Sequence, residues 1–287
     1  MRPFPPLGLG GAVPFAIPLS AQVGTVTPSH LDHAAEVKAA LPAILTEAAR
    51  EPMGAVARVY ALLLPADETA GAALLQASAI EAPLQAETLR LRPAVRALDS
   101  RAKLPLLTLS IAALRSLSPP QYGRFAQAID ALIFADGQID LFEYVLQKIV
   151  RARIAPQFTP PRKQVIEYYD IRALVPECAL LLSALAYAGQ TEPAQIEAAF
   201  RQGAGQLSLD AKVFQLLDRT AYDLTKIDAV LDRLNQAVPA IKKRVLDACS
   251  ATVTADGIIQ ESEAELLRAI ADALDCPVPP FLAWGRL

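Results

Sequence analysis

Residues 135–143 read Ala-Asp-Gly-Gln-Ile-Asp-Leu-Phe-Glu, and residues 255–263 read Ala-Asp-Gly-Ile-Ile-Gln-Glu-Ser-Glu. Both stretches follow the pattern Ala-Asp-Gly-x-Ile-x-x-x-Glu. Each one follows a segment with apolar residues at helical spacing and leads directly into another such segment. The repeated stretch therefore predicts two turns, each of which joins a pair of helices.

The composition favours helices throughout the chain. Apolar residues make up 53% of the 287 residues and aromatic residues only 6%; alanine and leucine dominate, and alternating β-branched runs are few. The net charge of −3 gives no electrostatic reason to expect a nucleic-acid partner. Three cysteines without a Cys-x-x-Cys pair are typical of a reducing compartment, so we expect a cytoplasmic protein.

Working outward from the two turns, helical spacing and breaker residues predict an all-α multi-helix bundle of about eleven helices. Residues 1–26 carry many prolines and glycines and are predicted to form an extended or disordered leader; the alternative interpretation of this stretch is a signal peptide. A helical restart at Ser118-Pro119-Pro120 places the predicted seam near residue 117. We therefore expect an N-terminal helical domain over 27–117 and a second helical domain over 118–287.

Two other stretches give more specific expectations. Residues 154–164 contain three prolines and are predicted to form a loop that ends a helix near Arg153. The apolar helix predicted over 172–188 has a proline and a glutamate near its start and is only 17 residues long, so we expect a core helix and not a membrane span.

The repeated turn is also similar to the second half of a calcium-binding helix–loop–helix, in which an acid, a glycine, an aliphatic residue and a bidentate glutamate follow one another. In that register the first two ligand positions are Leu132 and Phe134 in one copy, and Thr252 and Thr254 in the other. Tight calcium binding is therefore disfavoured. The interpretation we prefer is a folding device, in which glycine permits the turn. Asp140 and Glu143 have the spacing of a capping box, whereas Glu261 and Glu263 complement the dipole of the helix that follows the second turn.

The paired turns resemble the TerB-like fold, a small helical domain named for tellurite-resistance proteins, in which such a turn occurs near each end. Asp136 to Glu143 and Asp256 to Glu263 match that pattern, and residues 265–277 are similar to its closing helix. The resemblance covers about residues 118–282. It implies that the predicted second domain is TerB-like.

A wider resemblance is to the region that follows the protease domain of bacterial HtpX-type membrane zinc metallopeptidases. It rests on five short stretches, at residues 23–31, 50–55, 104–106, 113–119 and 141–144. The chain has no His-Glu-x-x-His motif; His30 and His33, at i and i+3, come nearest to one and fit a surface helix start better. This resemblance implies a regulatory or interaction region without its protease.

We therefore expect a non-catalytic regulatory or protein-interaction module with no resident cofactor, associated with a membrane metallopeptidase at the cytoplasmic face. The basic run over 148–163 could contact anionic lipid or an acidic partner, or form a solvated helix end. The alternative is a divalent-metal-responsive sensor. Its ligands would come from the acidic residues of the two turns: Asp136, Asp140, Glu143, Asp256, Glu261 and Glu263.

Overall fold

The computed structural model describes residues 12–14, 19–65, 67–134, 141–159 and 165–279. Helix accounts for 74% of the structure, whereas strand in the described residues is confined to two three-residue segments. The predicted all-α multi-helix fold is therefore confirmed. The chain divides into two compact units, which we call the central unit (residues 32–162) and the flanking unit (residues 3–31 with 163–287).

Helix α1 (Pro28–Ala40) is exposed and contains the first boundary between the two units, which falls after residue 31. The central unit is built around α3, which is buried from Gly54 to Leu63 and packs against five of the other helices. The helices of this unit are α2 (Ala43–Ala48), α3 (Pro52–Leu63), α4 (Glu68–Ala77), α5 (Ala82–Arg96), α6 (Ser100–Leu114), α7 (Pro119–Phe134) and α8 (Leu141–Phe158).

Arg58 crosses the core of the central unit and is fully buried. Its guanidinium donates to the backbone oxygen of Leu45 at 2.8 Å and to the hydroxyl of Ser110, so one side chain links α3 to α2 and α6. Burial lowers the pKa of Arg58 to about 10, which still leaves the group charged at neutral pH. The hydrogen bonds partly offset the loss of hydration that a buried charge suffers.

The flanking unit is built around α9, which packs against α10, α11 and α12. The segment Ile171–Gly189 is long and apolar enough to cross a membrane by length and composition, but 61% of it is buried inside the structure, as in the core helix of a folded domain. The helices of this unit are α9 (Val175–Gly189), α10 (Pro193–Gly205), α11 (Leu224–Asn235), α12 (Pro239–Val253) and α13 (Glu261–Ala273).

Part of the predicted leader belongs to the flanking unit. Strand β1 (Ala12–Pro14) pairs antiparallel with β2 (Ile258–Gln260), with Val13 opposite Ile259. Leu19, in a short 3₁₀ helix, is fully buried, and Ser20 donates to the Asp247 carboxylate through its backbone N–H at 2.8 Å and its hydroxyl at 2.6 Å. Residues 12–14 and 19–22 are thus integrated into the fold.

Two helix boundaries and the boundary between the units differ from the predicted ones. Helical spacing from residue 27 predicts one helix from Thr27 to about Arg50, but the structure has two, because the chain breaks before Ala43 at Pro42. Residue 117 does not divide the units, since α7 and α8 pack against α3. The loop predicted from residue 154 was wrong as far as Phe158: α8 continues through Pro156, and the Phe158 ring stacks on Tyr122 with centroids 4.4 Å apart.

Candidate functional site

The second acidic turn joins α12 to α13 through strand β2. Gly257 has φ +84°, a conformation that side chains with a Cβ oppose, and its N–H donates to the backbone oxygen of Thr254 at 2.9 Å. The exposed Asp256 carboxylate accepts the N–H of Ile258 at 3.1 Å, and Ile259 is buried. Asp256 and Gly257 therefore form hydrogen bonds within the turn, and Ile259 anchors it in the core.

Glu263 acts as a cap within this turn. Its carboxylate accepts the backbone N–H of Gln260 at 2.8 Å, in the manner of a glutamate at the third helical position. Only 5% of Glu263 is exposed, and its other carboxylate oxygen faces Gly189, where an added methyl carbon would lie 3.0 Å away. Burial raises the pKa of Glu263 to about 7, the backbone hydrogen bond opposes that rise, and the charge of Asp256 adds to it.

The two threonines at the calcium-ligand positions are used by helix α12. The hydroxyl of Thr252 donates to the backbone oxygen of Ala248 at 3.0 Å, and the hydroxyl of Thr254 donates to the backbone oxygen of Ser250 at 2.9 Å. Only 1% of Thr252 is exposed. Both hydroxyls therefore form hydrogen bonds within their own helix.

The structure describes only part of the predicted metal site. Asp136 and Asp140 lie outside the described residues, as do the side chains of Glu143 and Glu261. Asp256 and Glu263 are neighbours on one turn, and each already accepts a backbone N–H. Among the described residues, no group of three or more His, Cys, Asp or Glu side chains could hold a metal ion.

The other sequence candidates have local partners. His30 accepts the backbone N–H of Thr27 through Nδ1 at 3.0 Å, which fits the predicted surface helix start. In the basic run, Arg151 forms an ion pair with Asp130, so its charge is partly neutralised within the central unit. Arg162 and Lys163 lie outside the described residues.

A cleft of about 210 Å³ opens on the central unit between α3, α7 and the start of α5. Its wall is apolar, and the Tyr60 and Phe125 rings stack there with centroids 5.8 Å apart. Met53 is 54% exposed. The lining residues on α3 and α7 are Pro52, Met53, Val56, Tyr60, Gln121, Arg124, Phe125 and Ala128.

Sequence reasoning missed this cleft, although its walls follow a visible period. Residues 52, 56 and 60 recur at i, i+4 and i+8 along α3, and residues 121, 124, 125 and 128 recur at i, i+3, i+4 and i+7 along α7. Such spacing predicts an inward-facing stripe. It does not tell whether the two stripes close on each other or leave space between them.

The chain matches no protein-family model, no curated protein and no solved structure. The TerB-like and metallopeptidase resemblances therefore remain predictions from the motifs. What the fold and the cleft define is a class: a two-unit, all-α protein with an apolar cleft on its central unit.

Proposed function

We propose that this chain is a non-catalytic protein-interaction module whose central unit receives an apolar anchor side chain of a partner in the cleft. The observation that carries the proposal is the cleft itself. Its volume of about 210 Å³ is below the roughly 300–1,000 Å³ of pockets that enclose a complete small ligand. Such a space suits one or two side chains, and anchor residues in pockets dominate the affinity of many protein interfaces.

Two features of the rim favour a protein partner. Met53 is half-exposed at the edge, and methionine is an adaptable side chain that recurs on surfaces that bind partners. The stacked rings of Tyr60 and Phe125 also line the cleft and provide a rigid wall. A flexible edge and a rigid wall together allow an inserted apolar side chain to lose contact with water, which is the main driving force of such binding.

The proposed partner is a membrane metallopeptidase, and the proposed place of contact is the cytoplasmic face of the membrane. Both rest on the resemblance to the region after the protease domain in HtpX-type enzymes and on the missing His-Glu-x-x-His motif. Hydrolysis of peptides by the pure chain, abolished by a metal chelator, would contradict the non-catalytic assignment.

The docking role is tested by photo-crosslinking in cells that express the chain naturally. A photoreactive amino acid replaces Met53 at the cleft or Leu89 on α5, which is also an exposed apolar residue but does not line the cleft. We expect a specific adduct, identified by mass spectrometry as a membrane metallopeptidase, from position 53 only. Equal adducts from both positions would contradict the proposal.

A variant with a filled cleft tests whether the adduct at position 53 depends on the cleft. Ala128→Trp places an indole in the cleft, and Gln127→Trp places one on the adjacent exposed position of α7, outside the lining. We expect Ala128→Trp to abolish the adduct at position 53 and Gln127→Trp to preserve it. An adduct that survives a filled cleft would mean that the partner binds elsewhere.

A divalent-metal-responsive sensor is the second candidate function. One observation favours it: the charge of the exposed Asp256 contributes to the raised pKa of Glu263, so the two carboxyl groups interact electrostatically. A divalent cation there would relieve that repulsion. Thermal melting with added metals separates this candidate from the first.

A further inference from the structure

The rim of the cleft carries one cation that is only weakly neutralised. Arg124 Nε lies 3.5 Å from a carboxylate oxygen of Glu81, the residue before α5. The two side chains are 60% and 69% exposed, and exposed pairs of this kind contribute little because water and salt screen them. A carboxylate from outside could therefore take the place of Glu81 at Arg124 with little loss.

A second polar group, the hydroxyl of Tyr60, belongs to a residue that lines the cleft. Only 2% of the whole Tyr60 residue is exposed, but among the described residues its hydroxyl is not one of the buried polar atoms that lack a partner. Burial raises the pKa of Tyr60, so the phenol keeps its proton and remains a donor at neutral pH. A phenol O–H on the wall of the cleft can donate a hydrogen bond to an incoming oxygen atom.

The two groups act on the same region. The positive charge of Arg124 lowers the pKa of Tyr60, against the larger effect of burial, so the guanidinium and the phenol interact electrostatically. Both residues line the cleft, next to Phe125. One phenol O–H and one guanidinium are therefore available to a single anionic group beside an apolar space.

We propose that the partner segment carries an Asp or Glu side chain next to its apolar anchor; this inference rests on the proposed function. Its carboxylate accepts hydrogen bonds from the Tyr60 hydroxyl and from Arg124, while the anchor occupies the apolar wall. Hydrogen bonds to an ionised acceptor are about twice as strong as neutral ones, which makes this contact a source of specificity. Glu81 is the group displaced, and its own charge disfavours the incoming carboxylate.

The test uses three small probes with the same apolar body: 4-phenylbutyrate, 4-phenylbutanamide and 4-phenylbutylamine. The full chain contains two methionines, Met1 and Met53, so ¹³C-methyl labelling gives two signals, of which Met53 reports on the cleft. Each probe is titrated and the shift of the Met53 methyl signal gives its Kd. We expect the carboxylate to bind about five- to tenfold more tightly than the amide, and the amine to bind most weakly.

Matched variants assign that preference to named groups. Arg124→Gln should remove the advantage of the carboxylate over the amide, Tyr60→Phe should reduce it while keeping the ring stack, and Glu81→Gln should increase it. Tyr60→Phe and Glu81→Gln nearly conserve size, Arg124→Gln shortens an exposed side chain, and the melting temperature of each variant shows whether it is folded. A carboxylate preference that persists in Arg124→Gln, or a Glu81→Gln variant that weakens the carboxylate, would overturn the proposal.

The outcomes separate this inference from the proposed function. If all three probes bind the wild-type chain equally, the anionic preference is wrong, whereas the cleft still accepts an apolar anchor. If none of the probes shifts the Met53 signal, the cleft does not accept an apolar group, and both the inference and the proposed docking role are wrong.

Discussion

The backbone N–H of Gln260 donates to the carboxylate of Glu263 at 2.8 Å, and this bond closes the first turn of α13 beside strand β2. The carboxylate that caps the helix is nearly fully buried. A cap of this kind is favourable as a hydrogen bond and unfavourable as a buried charge. The balance between the two terms depends on pH.

Glu263 should make the free energy of unfolding fall as pH rises. Its pKa is raised from the ordinary 4.5 to about 7 in the folded state, so between these values the folded chain binds more protons than the unfolded chain. The stabilising contribution is present below pH 4.5 and is lost as pH rises to about 7. A shift of this size corresponds to an energy on the order of 3 kcal/mol.

Glu263→Gln tests that dependence, because the amide oxygen can still accept the N–H of Gln260 without carrying charge. We expect the variant to be more stable than the wild type at pH 8, by on the order of 2–3 kcal/mol, and similar to it near pH 4.5. Urea unfolding across this pH range measures the difference. Glu192→Gln, at the exposed start of α10, is the control and should show no such trend.

Metal addition distinguishes the two candidate functions. Under the interaction-module proposal we expect calcium, magnesium, manganese and zinc to leave the melting temperature unchanged, since Asp256 and Glu263 already accept backbone N–H groups. A metal that binds only the folded state adds about 2.7 kcal/mol at a hundredfold excess over its Kd. A rise with one metal, removed by Asp256→Ala, would favour the sensor.

Leu19 should contribute as a core residue despite its position in the predicted leader. It is fully buried, whereas Leu31 at the start of α1 is 62% exposed. We expect Leu19→Ala to lower the free energy of unfolding by about 2–4 kcal/mol, and Leu31→Ala by less than about 0.5 kcal/mol. Chemical denaturation of both variants provides the comparison; equal small losses would mean that this segment does not pack as described.

Two glycines of α10 should respond differently to replacement by alanine. A methyl group at Gly203 would overlap the hydroxyl oxygen of Thr252 and lie 2.8 Å from the backbone oxygen of Ala248, because α10 and α12 pack closely there. At Gly205 it would meet nothing within 4 Å. We expect Gly203→Ala to destabilise by about 1–3 kcal/mol and Gly205→Ala to lie within about 1 kcal/mol of the wild type. Differential scanning calorimetry measures both changes. A similar loss of stability at the two positions would contradict the prediction.

Local chemistry was enough to predict many helices. Pro119 occupies the first position of α7, as predicted, because proline lacks only an N–H that is not needed there, and Pro52 occupies the same position in α3. Helix α7 ends at Phe134, directly before the repeated turn, as the sequence indicates. The role of Glu263 as a cap could also be inferred, since the cap involves residues only three positions apart.

The continuation of α8 through Pro156 was decided by tertiary contacts. Proline removes one helical hydrogen bond, and local rules therefore end the helix there. In the structure the Arg115 side chain donates to the backbone oxygen of Arg153 at 3.0 and 3.2 Å, and Phe158 stacks on Tyr122. These partners are distant in sequence, so the residues around 156 alone carry no sign of them.

The sequence by itself determined the all-α class, the positions of most helix starts and the two acidic turns, because these depend on interactions within about four residues. Only the tertiary structure decided that Leu19 is buried, that Glu263 is withdrawn from water and that α3 and α7 leave a cleft between Tyr60, Phe125 and Met53. Burial and empty space depend on which helix faces meet, and that is set by packing between residues far apart in the chain.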